Sequence, residues 1–204
     1  MLKVGLTGSI AVGKSFVLTV LSELGCRVLD ADITAREVVA PGTFGLGEVV
    51  RQFGKEVLSE NGTLNRTRLG SIVFAEPAKR ELLNSILHPL IIATQDRQMR
   101  EWQAQDPKAI GIVDAALMIE SGSYRRFDKL IVVHCRPEIQ LQRLITREGF
   151  SPEEAEQRIK SQMSQDEKKK YSDFLIDTSD GLESTRQQTL SLYKKLRSLA
   201  DATA

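Results

Sequence analysis

The sequence predicts an α/β fold, a five-stranded parallel sheet with helices on both faces, and three observations carry that expectation. Five short runs rich in Val, Ile and Leu read as buried strands: Leu2–Thr7, Arg27–Asp30, Ile110–Asp114, Lys129–His134 and Phe174–Asp177. Most of the stretches between them carry helical periodicity, the alternation that builds a parallel sheet covered on both sides. The first strand runs directly into "GSIAVGKS", residues 8–15, which has the spacing G-x-x-x-x-G-K-S of a loop that wraps phosphates.

The elements follow in order. After the loop, residues 16–25 supply an apolar helix ending at Gly25. Between the second and third strands the rhythm breaks: about 41–106 offers several helical segments and no convincing strand, which reads as a helical lobe inserted on the sheet. Its segments are punctuated by Pro41-Gly42, by the turn Asn61-Gly62, and by His88-Pro89, where the proline is expected to kink or restart the longest helix. Past the fourth strand a helix begins near Pro137. A second one, expected over 152–163, opens on Ser151-Pro152-Glu153-Glu154, with an N-cap serine, a first-turn proline and a glutamate that completes a capping box. The expected organisation is one domain over 1–204: a core of about 1–40, 107–137 and 172–204, the lobe of about 41–106, and a helical lid of about 138–171.

Composition sets bounds on this reading. A chain of 204 residues buries on the order of 70% of its unfolded surface and needs no covalent staples. Its two cysteines, Cys26 and Cys135, lie too far apart for a local metal motif and read as reduced thiols. A net charge of +1 gives no general pull toward nucleic acid or membrane, so neither is expected as a partner. The triplet Lys168-Lys169-Lys170 reads as solvated surface. No run of about 18 uncharged apolar residues occurs, which points to a soluble, cytoplasmic protein, monomeric or weakly self-associating.

The loop carries the most specific chemistry. Successive backbone N–H groups of Gly8, Ser9, Ile10, Ala11, Val12 and Gly13 can converge on phosphate oxygens, with the positive end of the following helix behind them. Lys14 would reach the β- and γ-phosphates as a point charge. The Ser15 hydroxyl would complete the shell of a Mg²⁺ ion bridging the same groups, and Phe16 follows at the first helical turn. The bland alternative is a glycine turn that merely joins strand to helix.

In an open parallel sheet, ligands sit beyond the carboxyl ends of the strands. After the second strand come Asp30 and Asp32, which in an extended segment point to opposite sides. Asp32 is the candidate to orient an attacking hydroxyl and accept its proton, and it also reads as an N-cap of the helix that follows. Asp114, ending the third strand, is either a carboxylate holding a metal-bound water or a solvent-facing strand end. On the helix after the fourth strand, Arg143 and Arg147 share one flank while Leu141, Leu144 and Ile145 form the apolar stripe. Beside a polyphosphate the two guanidinium groups would spread transition-state charge; otherwise they form a solvated basic face.

Taken together, the phosphate loop "GLTGSIAVGKS", "DAD" at 30–32 followed by "AREVV" and "PG" at 41–42, "HPLI" at 88–91, and "RLITREGFSPEEAEQRIKSQ" at 143–162 resemble the dephospho-CoA kinase family. The resemblance runs from Leu6 to about Gly181. It implies a P-loop core of three layers, a helical acceptor-binding lobe and a lid. It further implies transfer of the γ-phosphoryl group of ATP to the ribose 3′-hydroxyl of dephospho-coenzyme A, with Mg²⁺, in the last step of coenzyme A synthesis. Carried over by position, it makes Lys14 and Ser15 the phosphate and metal groups, Asp32 the base, and Arg143 and Arg147 lid residues contacting ATP. Arg66, His88, Pro89 and Leu117 fall near the acceptor, with capping or packing the other reading of His88.

The chain departs from the family's usual pattern at several points. Ser9 and Ala11 stand where glycines are usual, which leaves the backbone donors in place if φ stays negative. Phe16 replaces a small polar residue, Ala115-Ala116-Leu117 replaces a usual "PLL", and Thr178 replaces an asparagine, changes expected to bear on the acceptor turn and the adenine edge. A regulatory GTPase would need N-K-x-D after a strand, and that tetrapeptide does not occur. A DNA-dependent ATPase would want a basic stripe. The nearer rival is another P-loop small-molecule kinase, acting on a nucleoside or nucleotide, which would share the core and lid.

Overall fold

Alternate residues along the first strand face opposite sides of the sheet, and this alternation fixes what covers each side. The computed structural model describes residues 1–202, so residues 203 and 204, to which the expected core extended, lie outside the described residues. The five strands β1 (Leu2–Thr7), β2 (Arg27–Asp30), β3 (Ile110–Asp114), β4 (Lys129–His134) and β5 (Phe174–Asp177) have the bounds read from the sequence. They lie in the order β2-β3-β1-β4-β5, and β1 pairs in parallel with both β3 and β4, as β4 does with β5. Leu2, Val4 and Leu6 of β1 share a face with Ile110 and Ile112 of β3, Ile131 and Val133 of β4, and Ile176 of β5. On that face they pack in one buried cluster with Val17 and Leu21 of α1 (Lys14–Glu23) and Leu192, Leu196 and Ala200 of α9 (Gly181–Ala202). β1, β3 and β4 are buried along most of their length, whereas β2 is only partly covered and β5 buries Ile176 alone.

By contacts the chain divides into two units, Met1–Leu29 with Trp102–Ala204, and Asp30–Glu101. The composition of the sequence places the corresponding boundaries at about 41 and 106. The second unit is helical. It holds α2 (Ala31–Glu37), α3 (Phe44–Phe53), α4 (Arg66–Ala75) and most of α5 (Pro77–Gln105), with a short bridge between Leu58 and Leu64 across the Asn61-Gly62 turn. Its own core gathers Val39, Leu46, Val49, Phe53, Val57 and Leu69. Pro89 does not restart the helix: α5 runs through it as a single helix of 29 residues. The missing proline N–H removes one internal bond, and the length of regular helix on either side holds the element together.

In the first unit α6 (Pro137–Glu148), α7 (Pro152–Lys160) and α8 (Gln165–Lys169) follow β4. The capping box at Ser151 and Glu154 is formed, with both reciprocal bonds present. α7 ends at Lys160, three residues before the expected end, because the next residues turn toward the loop after β1. Cys26 and Cys135 are free and buried. Burial pushes the Cys26 thiol up to about 12, with the Arg197 charge pulling weakly the other way, and burial pushes Cys135 in the same direction. Among the described residues no helix is long and apolar enough to cross a membrane. Because the strands are parallel, the loops after β1, β3, β4 and β5 emerge at one edge. The strand order reverses beside β1, the position where open α/β sheets bind ligands.

Candidate active site

The loop of residues 8–13 leaves β1 under tight constraint. A Cβ at Gly8 would stand 2.4 Å from the Val133 carbonyl oxygen and 2.9 Å from Val12 Cγ2, so only glycine passes between β4 and the loop's own turn. Gly13 caps α1 in the left-handed region at φ 89°, the conformation glycine adopts without steric cost. Ala11 takes φ 60°, the one non-glycine residue with positive φ among the described residues. The condition of negative φ is therefore not met at this position: the turn demands the left-handed region, and alanine adopts it at a cost of about 1–2 kcal/mol.

The loop's backbone is held from behind by side chains. Thr178, directly after β5, is buried and donates its hydroxyl to the Val12 carbonyl at 2.7 Å. Gln140 of α6 donates Nε2 to the Ile10 carbonyl at 2.8 Å, and Gln162 accepts from the Ile10 N–H at 2.8 Å through Oε1. Gln165 fastens Gln140 in turn, donating to its Oε1 at 2.7 Å while accepting from the Cys135 N–H at 2.9 Å. Ser9 donates to the Met163 carbonyl at 3.3 Å. With the carbonyls of Ile10 and Val12 engaged by the protein, the loop does not present these acceptors to an anion. That arrangement suits a phosphate cradle.

In front of the loop lies a cavity of about 540 Å³. The loop supplies Ser9, Ala11, Val12, Gly13, Lys14 and Ser15 to its wall, and α6 supplies Gln142, Arg143, Thr146 and Arg147. The structure thus brings Lys14, Ser15, Arg143 and Arg147 to one cavity, whereas Gly8, Ile10 and Phe16 are not among its lining residues. Lys14 is half-buried and Ser15 exposed. Arg143 donates Nη1 to Thr178 Oγ1 and Nη2 to the Thr178 carbonyl, both at 2.8 Å. Arg147, one helical turn on, is exposed and bonded to Glu148 at 2.7 Å. Thr178 spends its hydroxyl on the loop and on Arg143. Behind them, Leu144 is the fully buried residue of the apolar stripe, while Leu141 and Ile145 are only partly covered.

After β2 the capping role falls to Asp30 and not to Asp32. Asp30, the last residue of the strand, is the N-cap of α2: its Oδ1 accepts from the Asp32 N–H at 2.7 Å and from the Ile33 N–H at 3.2 Å. Asp32 lies in the first turn of that helix with its side chain exposed, so it is not the cap, and both residues do not belong to one extended segment as expected. The other candidates of the second unit are Arg66, exposed at the start of α4, and His88 and Pro89, exposed midway along α5. Leu117 is 52% exposed in the segment after β3. Asp114 ends β3, opposite Leu6 in register.

One buried cation carries no sign of its burial in the sequence. Lys168 is fully buried, not solvated. Its ammonium donates to the Ala116 carbonyl at 2.6 Å and pairs with Glu120 at 2.8 Å. The same Ala116 oxygen accepts from the Thr7 hydroxyl at 3.1 Å, which anchors the turn that departs from the family's usual "PLL". Burial pulls the Lys168 ammonium below the ordinary lysine range; the Glu120 carboxylate opposes that, and the nearby Lys14 charge adds to it. Nothing in three consecutive lysines marks the buried one. Gln140 and Gln162 likewise carry no sequence signal for their hold on the loop.

Comparison with known proteins gives the arrangement its relatives. The family model described as "Dephospho-CoA kinase" matches residues 2–184. A Danio rerio "dephospho-CoA kinase domain-containing protein" is 45% identical over 197 residues, covering 96% of this chain and 86% of its own length. The Listeria innocua dephospho-CoA kinase is 43% identical over 194 residues, 94% of this chain and 96% of the relative. Among solved structures, the dephospho-CoA kinase from Campylobacter jejuni superposes with a TM-score of 0.73 at 28% identity, covering 96% of this chain and 97% of that one. With a phosphate loop built on the sheet's carboxyl edge and a family match over most of its length, the chain belongs to the dephospho-CoA kinase family.

Proposed function

We propose that this protein transfers the γ-phosphoryl group of ATP to the ribose 3′-hydroxyl of dephospho-coenzyme A, giving coenzyme A and ADP, the last step of coenzyme A synthesis. The observation that carries the reading is the single cavity where Lys14 and Ser15 of the phosphate loop meet Arg143 and Arg147 of α6. Such a site can bind a polyphosphate and stabilise charge on a transferring phosphoryl group.

In this reading Lys14 and the loop's N–H groups other than that of Ile10, which already donates to Gln162, bind the β- and γ-phosphates. Arg147, exposed on the cavity wall, and Arg143, held by Thr178, spread the charge of the loose transition state. Asp32 orients the acceptor hydroxyl and takes its proton as the oxygen bonds to the γ-phosphorus and ADP leaves. Asp30 caps α2 and leaves the Asp32 carboxylate exposed for that role. Ser15 would hold Mg²⁺ through its hydroxyl, and the ion would neutralise phosphate charge there. Arg66, His88, Pro89 and Leu117 are assigned to the acceptor by the family resemblance. The cytoplasm as the place of action accords with two free thiols, and one chain's residues suffice for the donor cavity, as in a monomer or weak homo-oligomer.

The test is an acceptor panel with radiolabelled ATP: dephospho-coenzyme A, a nucleoside and a nucleoside monophosphate. Label is expected on the ribose 3′-oxygen of dephospho-coenzyme A. Preferential labelling of the nucleoside or the monophosphate would replace this acceptor with theirs.

A further inference from the structure

Helices α7 and α8 are joined by a turn over 161–164, and this turn touches the phosphate loop at two places. Gln162 Oε1 accepts from the Ile10 N–H at 2.8 Å, and the Met163 carbonyl accepts from the Ser9 hydroxyl at 3.3 Å. What holds the turn in place is on its other side. The Met163 N–H donates to Glu120 Oε1 at 3.2 Å, and Glu120 is paired with the fully buried Lys168. Lys168 also donates to the Ala116 carbonyl, which shares that oxygen with Thr7, the last residue of β1 before the loop.

We propose that Lys168 is a positioning residue for donor binding: by fixing Glu120 it holds the Gln162-Met163 turn against Ser9 and Ile10 and so keeps the phosphate loop in its binding shape. The inference rests on the reading of the loop as the ATP site. Two features distinguish it from a pair that serves stability alone. A buried ion pair is weak evidence for stability, because apolar residues of similar volume often replace one without loss. Here every bond of the pair ends either on the turn that carries the loop contacts or on the segment beside Thr7. The Lys168 ammonium has no solvent exposure, so it does not meet the phosphates itself; it acts through Glu120 and the turn.

The charge balance supports the same role. Burial and Lys14 both disfavour the Lys168 charge, and the Glu120 carboxylate opposes them. An exposed lysine would hold Glu120 with far less geometric definition, since screening and side-chain entropy leave exposed pairs weak.

The experiment measures ATP affinity by equilibrium binding, the acceptor KM at saturating ATP, and the thermal midpoint. The proteins are the full-length wild type, Lys168→Met, Glu120→Gln, their double variant, and Gln162→Ala. Methionine keeps the unbranched stem and removes the donors, while glutamine at 120 keeps an acceptor for Met163. Lys168→Met, which also releases the Ala116 carbonyl beside Leu117, is expected to weaken ATP binding about tenfold, and the unchanged acceptor KM is expected of Gln162→Ala, which touches only the loop. The double variant is expected to lose less than the sum of the single losses, because both changes break one chain of contacts. Gln162→Ala, on a half-buried turn residue, is expected to weaken ATP binding in the same way, and it carries the test if Lys168→Met does not fold. A purely structural pair would lower the thermal midpoint and leave the ATP affinity of the folded protein unchanged, and that result overturns the proposal. So does wild-type ATP affinity in Gln162→Ala. If the wild type itself fails to bind ATP, the donor-site reading falls and this inference falls with it.

Discussion

Thr178 donates its hydroxyl to the Val12 carbonyl at 2.7 Å and accepts from Arg143 Nη1 at 2.8 Å, so one buried side chain joins the phosphate loop to the arginine that faces it. Thr178→Val keeps the shape and deletes the hydroxyl, leaving both the carbonyl and the guanidinium short of a partner. The cost is about 1–3 kcal/mol of stability, accompanied by a raised KM for ATP. Thr178→Ser should recover most of both. Thermal denaturation and steady-state kinetics on the two variants decide it, and an unchanged midpoint and KM in Thr178→Val would remove the link.

Ala11 offers a prediction of opposite sign. Its φ of 60° costs about 1–2 kcal/mol in strain, whereas glycine at the same place costs about 0.4–1 kcal/mol through the unfolded chain. Ala11→Gly should therefore stabilise the protein by about 0.5–1 kcal/mol, or a thermal midpoint higher by roughly 2–3 °C. ATP affinity should stay the same, because the loop N–H groups keep their directions. A lowered midpoint would show that the turn does not strain alanine.

The two aspartates after β2 can be separated. Asp30→Ala removes the cap of α2 and should cost about 1 kcal/mol. Asp32→Asn loses only a favourable charge in the first helical turn, worth about 0.3–1 kcal/mol, yet removes the proton acceptor. It should lower kcat by about 10²–10⁴. Retained turnover in Asp32→Asn would take the base assignment away from this residue.

What the sequence made legible and what it hid divide along physical lines. All five strands were readable as short apolar runs, and the loop was readable because its chemistry is local and its spacing rigid. Lys168 was hidden because its burial depends on Glu120, 48 residues earlier. Gln140 and Gln162 were hidden because a glutamine on a helix flank looks the same whether it meets water or a loop carbonyl. Which of Asp30 and Asp32 caps α2 depends on where β2 stops. Two aspartates are equally good caps, so only the fold distinguishes them. Ala11 shows the reverse case, in which tertiary demand at a turn overrides a residue's own conformational preference.

Arg147 is exposed and on the cavity wall, so its loss should leave stability within about 0.5 kcal/mol. In the loose transition state charge spreads over the γ-phosphoryl oxygens, where the guanidinium contributes more than it does in the ground state. Arg147→Ala should lower kcat by about 10²–10³ while weakening ATP binding much less. Arg147→Lys keeps the charge without the planar fork and should recover only part of the loss. Equal effects on kcat and ATP affinity would make Arg147 a ground-state binding residue instead.

The central claim is that the loop presents a phosphoryl donor to a bound acceptor, and ADP formation with and without dephospho-coenzyme A tests it most directly. A site that transfers to an acceptor and excludes water hydrolyses ATP slowly alone. The account predicts slow ADP release in the absence of dephospho-coenzyme A, strong stimulation when it is added, and loss of that stimulated rate in Lys14→Ala. ADP released equally fast without any acceptor would identify an ATPase and contradict the account.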